Sequence, residues 1–217
     1  MSHVREHRSI LAAPEKRLLV FIAQRLPRAI NSDHLTALAL AAMAMAGGAF
    51  AAARWDARAL WIVVVALALN WFGDSLDGTL ARVRHVERPR YGFYVDHVVD
   101  IAGATLLLGG LACSSFMTPV VALGVLIAYL LVSGEVFLST AVRGVFKLSV
   151  AGVGPTELRI VLAAGALALL RNPQVRIGPV SVPLFDFGGI AASACLLVVF
   201  AVSALRNATA LAAAERR

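Results

Sequence analysis

Residues 35–53 run for nineteen positions without a formal charge. At about 1.5 Å per residue, a helix of that length nearly matches the ~30 Å hydrocarbon core of a bilayer. Similar apolar runs follow at 59–81, 93–113, 120–142, 155–170 and 184–205, the fifth being the shortest. Backbone in lipid must satisfy its own hydrogen bonds, which helices do. The chain therefore reads as an all-α integral membrane protein, with six transmembrane helices over 35–217. Only 15% of its residues are charged, against about 25% in soluble domains.

Ahead of the first span, Leu11, Leu18, Ile22, Leu26 and Ile30 recur at spacings of seven and four, with Lys16, Arg17 and Arg25 off that stripe. This predicts an amphipathic interfacial helix within 1–34, lying on the membrane surface. Its short apolar run at 18–23 does not suit a cleavable signal peptide. With six spans, sixteen of the 20 Lys and Arg fall on the side of the termini, which the positive-inside rule makes cytoplasmic. The formal charge of +7 does not point to nucleic acid, because the basic residues collect at the ends of apolar runs. Cys113 and Cys195 lie inside such runs and read as packed free thiols. The segment 171–183 reads as a loop punctuated by Pro and Gly.

The stretch "DSLDGTLARVRHVERPRYGFYVDHVVD", residues 74–100, sets four aspartates between two uncharged segments. Residues three and four apart share a helix face. Asp74, Asp77, Gly78, Ala81 and Arg82 thus form one stripe on the second span. Asp96 and Asp100, with Gly92 one turn earlier, form another on the third. The connection is short, so the helices are antiparallel neighbours and the acidic stripes can face each other. Asp74 lies roughly 22 Å of helix beyond residue 59, at the inner edge of the hydrocarbon. A carboxylate near mid-membrane costs about 2.5–3.5 kcal/mol, and four facing carboxylates repel. A hard divalent cation, Mg²⁺, Mn²⁺ or Ca²⁺, answers both problems. The competing account pairs the carboxylates with Arg82, Arg84 and Arg90. Gly78, Ala81 and Gly92 clear side chains from around the acids, either for a bulky ligand or for close helix packing. Arg82 is suited to a phosphate. Cation, cradle and arginine together suggest a diphosphate substrate, and the membrane position suggests a lipid.

The pattern Asp-x2-Asp-Gly-x2-Ala-Arg followed by Gly-x3-Asp-x3-Asp resembles the signature of the CDP-alcohol phosphotransferase family. Asp74, Asp77, Gly78, Ala81, Arg82, Gly92, Asp96 and Asp100 match it, with a spacer slightly longer than usual. The resemblance implies metal binding by Asp74, Asp77, Asp96 and Asp100, with Asp100 also a candidate base. It implies that Gly78, Ala81, Arg82 and Gly92 border the CDP group, as do Asn31, Asp33, His34 and Thr36 at the start of the first span. "PRYG", residues 89–92, resembles a family segment that makes Arg90 a phosphate candidate. The implied protein is a Mg²⁺- or Mn²⁺-dependent homodimer in a bacterial plasma membrane, with its site facing the cytoplasm. It would transfer a phosphatidyl group from a CDP-alcohol, with CDP-diacylglycerol favoured, to an acceptor alcohol, releasing CMP. Within the family, the alternative is transfer from a CDP-linked small alcohol to a lipid alcohol, of which "DHVVD" (96–100) and "GPTE" (154–157) are reminiscent. His97, Arg143 and Lys147 are secondary candidates around the site. Outside it, a cation transporter would use intramembrane carboxylates, but would spread them through the bilayer thickness.

Overall fold

The computed structural model describes residues 12–143 and 155–216. Its elements are α1 (Ala12–Arg25), α2 (Ser32–Ala52), α3 (Ala59–Val83), α4 (Pro89–Ala112), α5 (Pro119–Arg143), α6 (Pro155–Leu169), β1 (Gln174–Ile177), β2 (Val180–Pro183) and α7 (Leu184–Glu215). Five of these, α2, α3, α4, α5 and α7, are long and apolar enough to cross a membrane. The expected fifth span, α6, has only 15 residues. Leu11, Lys147 and Gly154 of the sequence reading lie outside the described residues.

Helix ends follow local chemistry. The Asn31 side chain accepts the backbone N–H of His34 at 2.9 Å, while His34 Nδ1 faces the Asn31 N–H at 3.4 Å. This reciprocal capping box starts α2. Proline opens α4, α5 and α6, where its missing N–H costs nothing. Helix α3 ends in a Schellman turn: Val86 N–H donates to Ala81 O at 3.0 Å and His85 N–H to Arg82 O at 3.2 Å. His85 takes the left-handed conformation at φ 55°, which costs a non-glycine residue about 1–2 kcal/mol. The turn sends the chain straight back into α4.

Helices α2, α3 and α4 cross at glycines. A Cβ on Gly110 would land on the backbone of Gly47, and one on Gly73 would sit 2.5 Å from the Leu35 carbonyl. Between lipid-embedded helices such close approach is a main source of cohesion. The interior is filled by Phe50, Leu60, Val63 and Leu67, with Leu111 from α4. Helix α6 adds Ala166 and Leu169 to the same cluster. Many large apolar side chains face outward, among them Trp61, Val65, Ile127, Leu138 and Val198, as a lipid-facing surface requires. Cys113 and Cys195 are free, but they lie on the exterior rather than packed inside. An apolar neighbourhood does not imply burial when the solvent is itself apolar.

Helix α1 packs on α3 through Leu19 and Ala23, with Ile22, Leu26 and Ile30 beside them. The expected stripe is therefore rotated at one position: Leu18 points outward and Leu19 inward. Helices α5 and α7 run parallel. Thr118, just ahead of α5, donates its N–H to Asp186 at 2.6 Å near the start of α7. Further along, Glu135 accepts from Ser203 at 2.8 Å and Asn207 at 2.5 Å, and Arg143 bonds to Asn207. The segment expected as a loop contains the hairpin of β1 and β2, paired from Gln174 with Pro183 to Ile177 with Val180. Its two-residue turn places Gly178 at φ 60°, a conformation that glycine adopts freely.

Candidate active site

The start of α2, the last turns of α3 and the start of α4 enclose an open cleft. Asp77 and Asp96 line it, with Gly78, Ala81 and Gly92. Ser32, Asp33 and Thr36 line it from α2, and Arg88 and Tyr91 from the entry to α4. Asp77 is buried and held at three atoms. Thr36 Oγ1 donates to its Oδ2 at 2.7 Å, the Gly78 N–H donates to its Oδ1 at 2.5 Å, and Ser32 Oγ donates to its carbonyl at 2.9 Å. Gly73, packed against Leu35 and Ala39, brings α2 close enough for the Thr36 bond.

The glycines separate into two kinds. Gly92 opens onto space, with no atom of the described residues outside its own turn of helix within 4 Å of where its Cβ would stand, whereas a Cβ on Gly78 would meet the Arg82 guanidinium at 3.4 Å. Neither is a helix-packing glycine, unlike Gly47, Gly73 and Gly110. Arg82 folds back over Gly78 and donates to Thr79 Oγ1 at 3.1 Å.

Asp74 points toward α6. Arg159 donates from Nη2 to Asp74 Oδ2 at 2.6 Å and from Nε to Asn70 Oδ1 at 2.6 Å. None of the expected arginine partners makes this pair. Arg84 instead bonds to the carbonyls of Leu26, Pro27 and Ile30, clamping the connection between α1 and α2 onto α3. Arg90 is exposed and is not among the cleft residues; Arg88 is, paired with Asp33 and set over the Tyr91 ring at 4.1 Å. Asn31 and His34 serve the capping box rather than the cleft. His97 is wedged between Phe93 and Phe137, with centroid distances of 4.2 and 5.0 Å, and shares a hydrogen bond with the Phe93 carbonyl. Asp100 lies one turn beyond Asp96 on the more exposed flank of α4. The four acids are electrostatic neighbours: Asp74 and Asp96 act on Asp77, while Asp74 and Asp100 both act on Tyr129 of α5.

Four carboxylates without a thiolate make a hard oxygen donor set, and its chemistry fits Mg²⁺ or Mn²⁺. It is not gathered into a closed cage. Among the described residues, no group of three His, Cys, Asp or Glu side chains is placed to hold a metal ion. Asp74 is drawn to Arg159 and Asp77 to Thr36.

The model of the CDP-alcohol phosphatidyltransferase family matches residues 30–200, a stretch that includes every cleft residue. The chain belongs to that family. It is thus a CDP-alcohol phosphatidyltransferase by membership, a membrane transferase of phospholipid biosynthesis. No curated protein matches it significantly. The residues that sequence reasoning missed around the transferase cleft are Arg88, Tyr91, Asn70 and Arg159. Arg159 carried a signal: a lone cation in an apolar run needs a partner.

Proposed function

We propose that the protein transfers a phosphatidyl group from CDP-diacylglycerol to a small polar alcohol, releasing CMP, at the cytoplasmic face of the membrane. The observation that carries this reading is the cleft itself, where Asp77 and Asp96 stand with Gly78, covered by Arg82, and with Gly92, which has open space beside it. Gly78, Ala81 and Gly92 admit the CDP diphosphate close to the backbone, and Arg82 and Arg88 supply donors for its oxygens. Asp74, Asp77, Asp96 and Asp100 would hold Mg²⁺ or Mn²⁺. When bound, such a cation neutralises the diphosphate and the charge that develops on CMP. Asp100, on the accessible flank of α4, takes the proton of the acceptor hydroxyl. The acceptor oxygen forms its bond to the phosphatidyl phosphorus as the bond to the CMP oxygen breaks. The deciding assay measures CMP release by purified protein from labelled CDP-diacylglycerol across a panel of polar alcohols. Release only from a CDP-linked small alcohol with diacylglycerol would replace this donor assignment.

Arg82→Ala is expected to weaken CDP-alcohol binding about ten- to a hundredfold, the worth of a charge-assisted contact, while cation binding stays near normal. Unchanged donor affinity, measured by calorimetry, removes Arg82 from the site.

Six crossings are part of the same proposal. Parallel neighbours α5 and α7 require the chain to return across the membrane between Arg143 and Leu184, and α6 is the described helix in that interval. Its ~22 Å falls short of the ~30 Å core, a mismatch that local bilayer thinning accommodates. A cysteine tag within 82–91 and a reporter at the C-terminus are expected to read cytoplasmic, and a tag within 171–183 external. Labelling of both loops from one side refutes the arrangement. The α1 surface, with Leu18 and Phe21 exposed beside Arg25, is proposed to lie against the headgroups.

A further inference from the structure

Arg159 is the one charged side chain that reaches the Asp74 carboxylate in a hydrogen bond among the described residues. It is not a loosely tethered flank. Its side chain is 15% exposed and that of Asp74 32%. Its Nε is fixed by Asn70, which in turn donates to the Ala39 carbonyl at 3.0 Å. One turn earlier on α6, Thr156 donates to Glu15 at 2.9 Å, and Glu15 also accepts from Trp71 Nε1 at 2.6 Å. Helix α6 is thereby tied, through α1, to the helix that carries Asp74. A guanidinium is always charged. Held in this way, it neutralises Asp74 at a depth where a bare carboxylate is costly.

We propose that Arg159 is a resident counter-cation for Asp74, which a divalent cation must displace in order to use that carboxylate. The inference rests on the proposed metal-binding role of Asp74. It accounts for Asp74 being drawn toward α6 rather than gathered with the other aspartates in this structure. Asp74 is already neutralised from the α6 side. Arg159 thus acts as a positioning residue that tunes cation affinity.

The test is Mn²⁺ binding to the full-length protein in detergent, read by electron paramagnetic resonance of the free ion without substrate. Arg159→Gln removes the charge but keeps a donor for Asp74 and Asn70. It is expected to bind Mn²⁺ about ten- to a hundredfold more tightly, the range for a charge-assisted bond. Arg159→Lys keeps the charge and is expected to stay within about threefold of the parent, because the Coulomb term dominates. In an Asp74→Asn background, Arg159→Gln is expected to change affinity by less than about threefold, since the coupled partner is gone. Unchanged or weaker binding by Arg159→Gln, beside normal binding by the parent, overturns the counter-cation role alone. Absence of Mn²⁺ binding by parent and variants alike overturns the metal assignment, and this inference with it.

Discussion

Asp100→Asn is expected to reduce CMP release by about 10²–10⁴-fold, the usual loss when a general base is removed, while leaving CDP-alcohol bound. Asparagine keeps the size of the side chain and one oxygen, but its amide does not accept the proton of an attacking hydroxyl. Asp100 sits on the exposed flank of α4, one turn beyond the cleft residue Asp96. From there it can meet an acceptor that enters beside the donor. Asn at Asp77 or Asp96 acts differently. Both face the cleft and are proposed to hold a cation, so excess Mg²⁺ or Mn²⁺ is expected to restore part of the activity. Excess cation restores nothing to Asp100→Asn. The measurement is steady-state CMP release across a cation titration, with donor binding determined on the same preparations. Near-normal turnover of Asp100→Asn excludes the base role.

The spanning helices were legible because lipid imposes a local rule. Each long apolar run had to become a helix, and the observed bounds of α3 fall close to the expected 59–81, whereas α7 starts at 184 as expected but runs ten residues past 205. The aspartate stripes were legible for the same reason, since helical spacing alone puts Asp77 with Gly78 and Ala81 on one side of α3. What escaped depends on which helices become neighbours. Nothing local to Arg159 says that α6 will lie against α3 beside Asp74, so it counted only as one more basic flank. Arg88 and Arg90 stand two residues apart at the entry to α4, and the sequence does not say which of them faces Asp33, as Arg88 does. The outward turn of Leu18 had a similar cause. Leu18 and Leu19 both fit a helical stripe, and it is Leu19 that joins the buried cluster with Leu76 and Leu80 of α3. The hairpin was written in the alternation of "VRIGPVSV", but strands of four residues around a Gly-Pro pair read equally well as a loop.

Gly92→Leu and Gly110→Leu are expected to fail in opposite ways, although both replace a glycine of α4. Gly110 touches the backbone of Gly47, and no rotamer change can make room for a side chain between two backbones. The helices must separate, at a cost of about 1–3 kcal/mol or more for overpacking. That is large against the 5–15 kcal/mol that holds a typical fold. Gly110→Leu should therefore give little folded protein, and its thermal midpoint in detergent should fall. A Cβ on Gly92 would meet no atom of the described residues within 4 Å outside its own turn of helix. Leucine there improves helix propensity by up to about 1 kcal/mol, so the thermal midpoint should hold or rise. What leucine fills is the space beside Asp77 and Asp96 where the diphosphate is proposed to lie. Displacing a ligand from its productive position costs about 10²-fold or more, and CDP-alcohol binding and CMP release should fall together by that factor. A stable Gly92→Leu protein that binds CDP-alcohol like the parent removes the donor from this cleft. A Gly110→Leu protein of unchanged thermal midpoint removes the backbone crossing of α2 and α4 on which the position of the cleft depends.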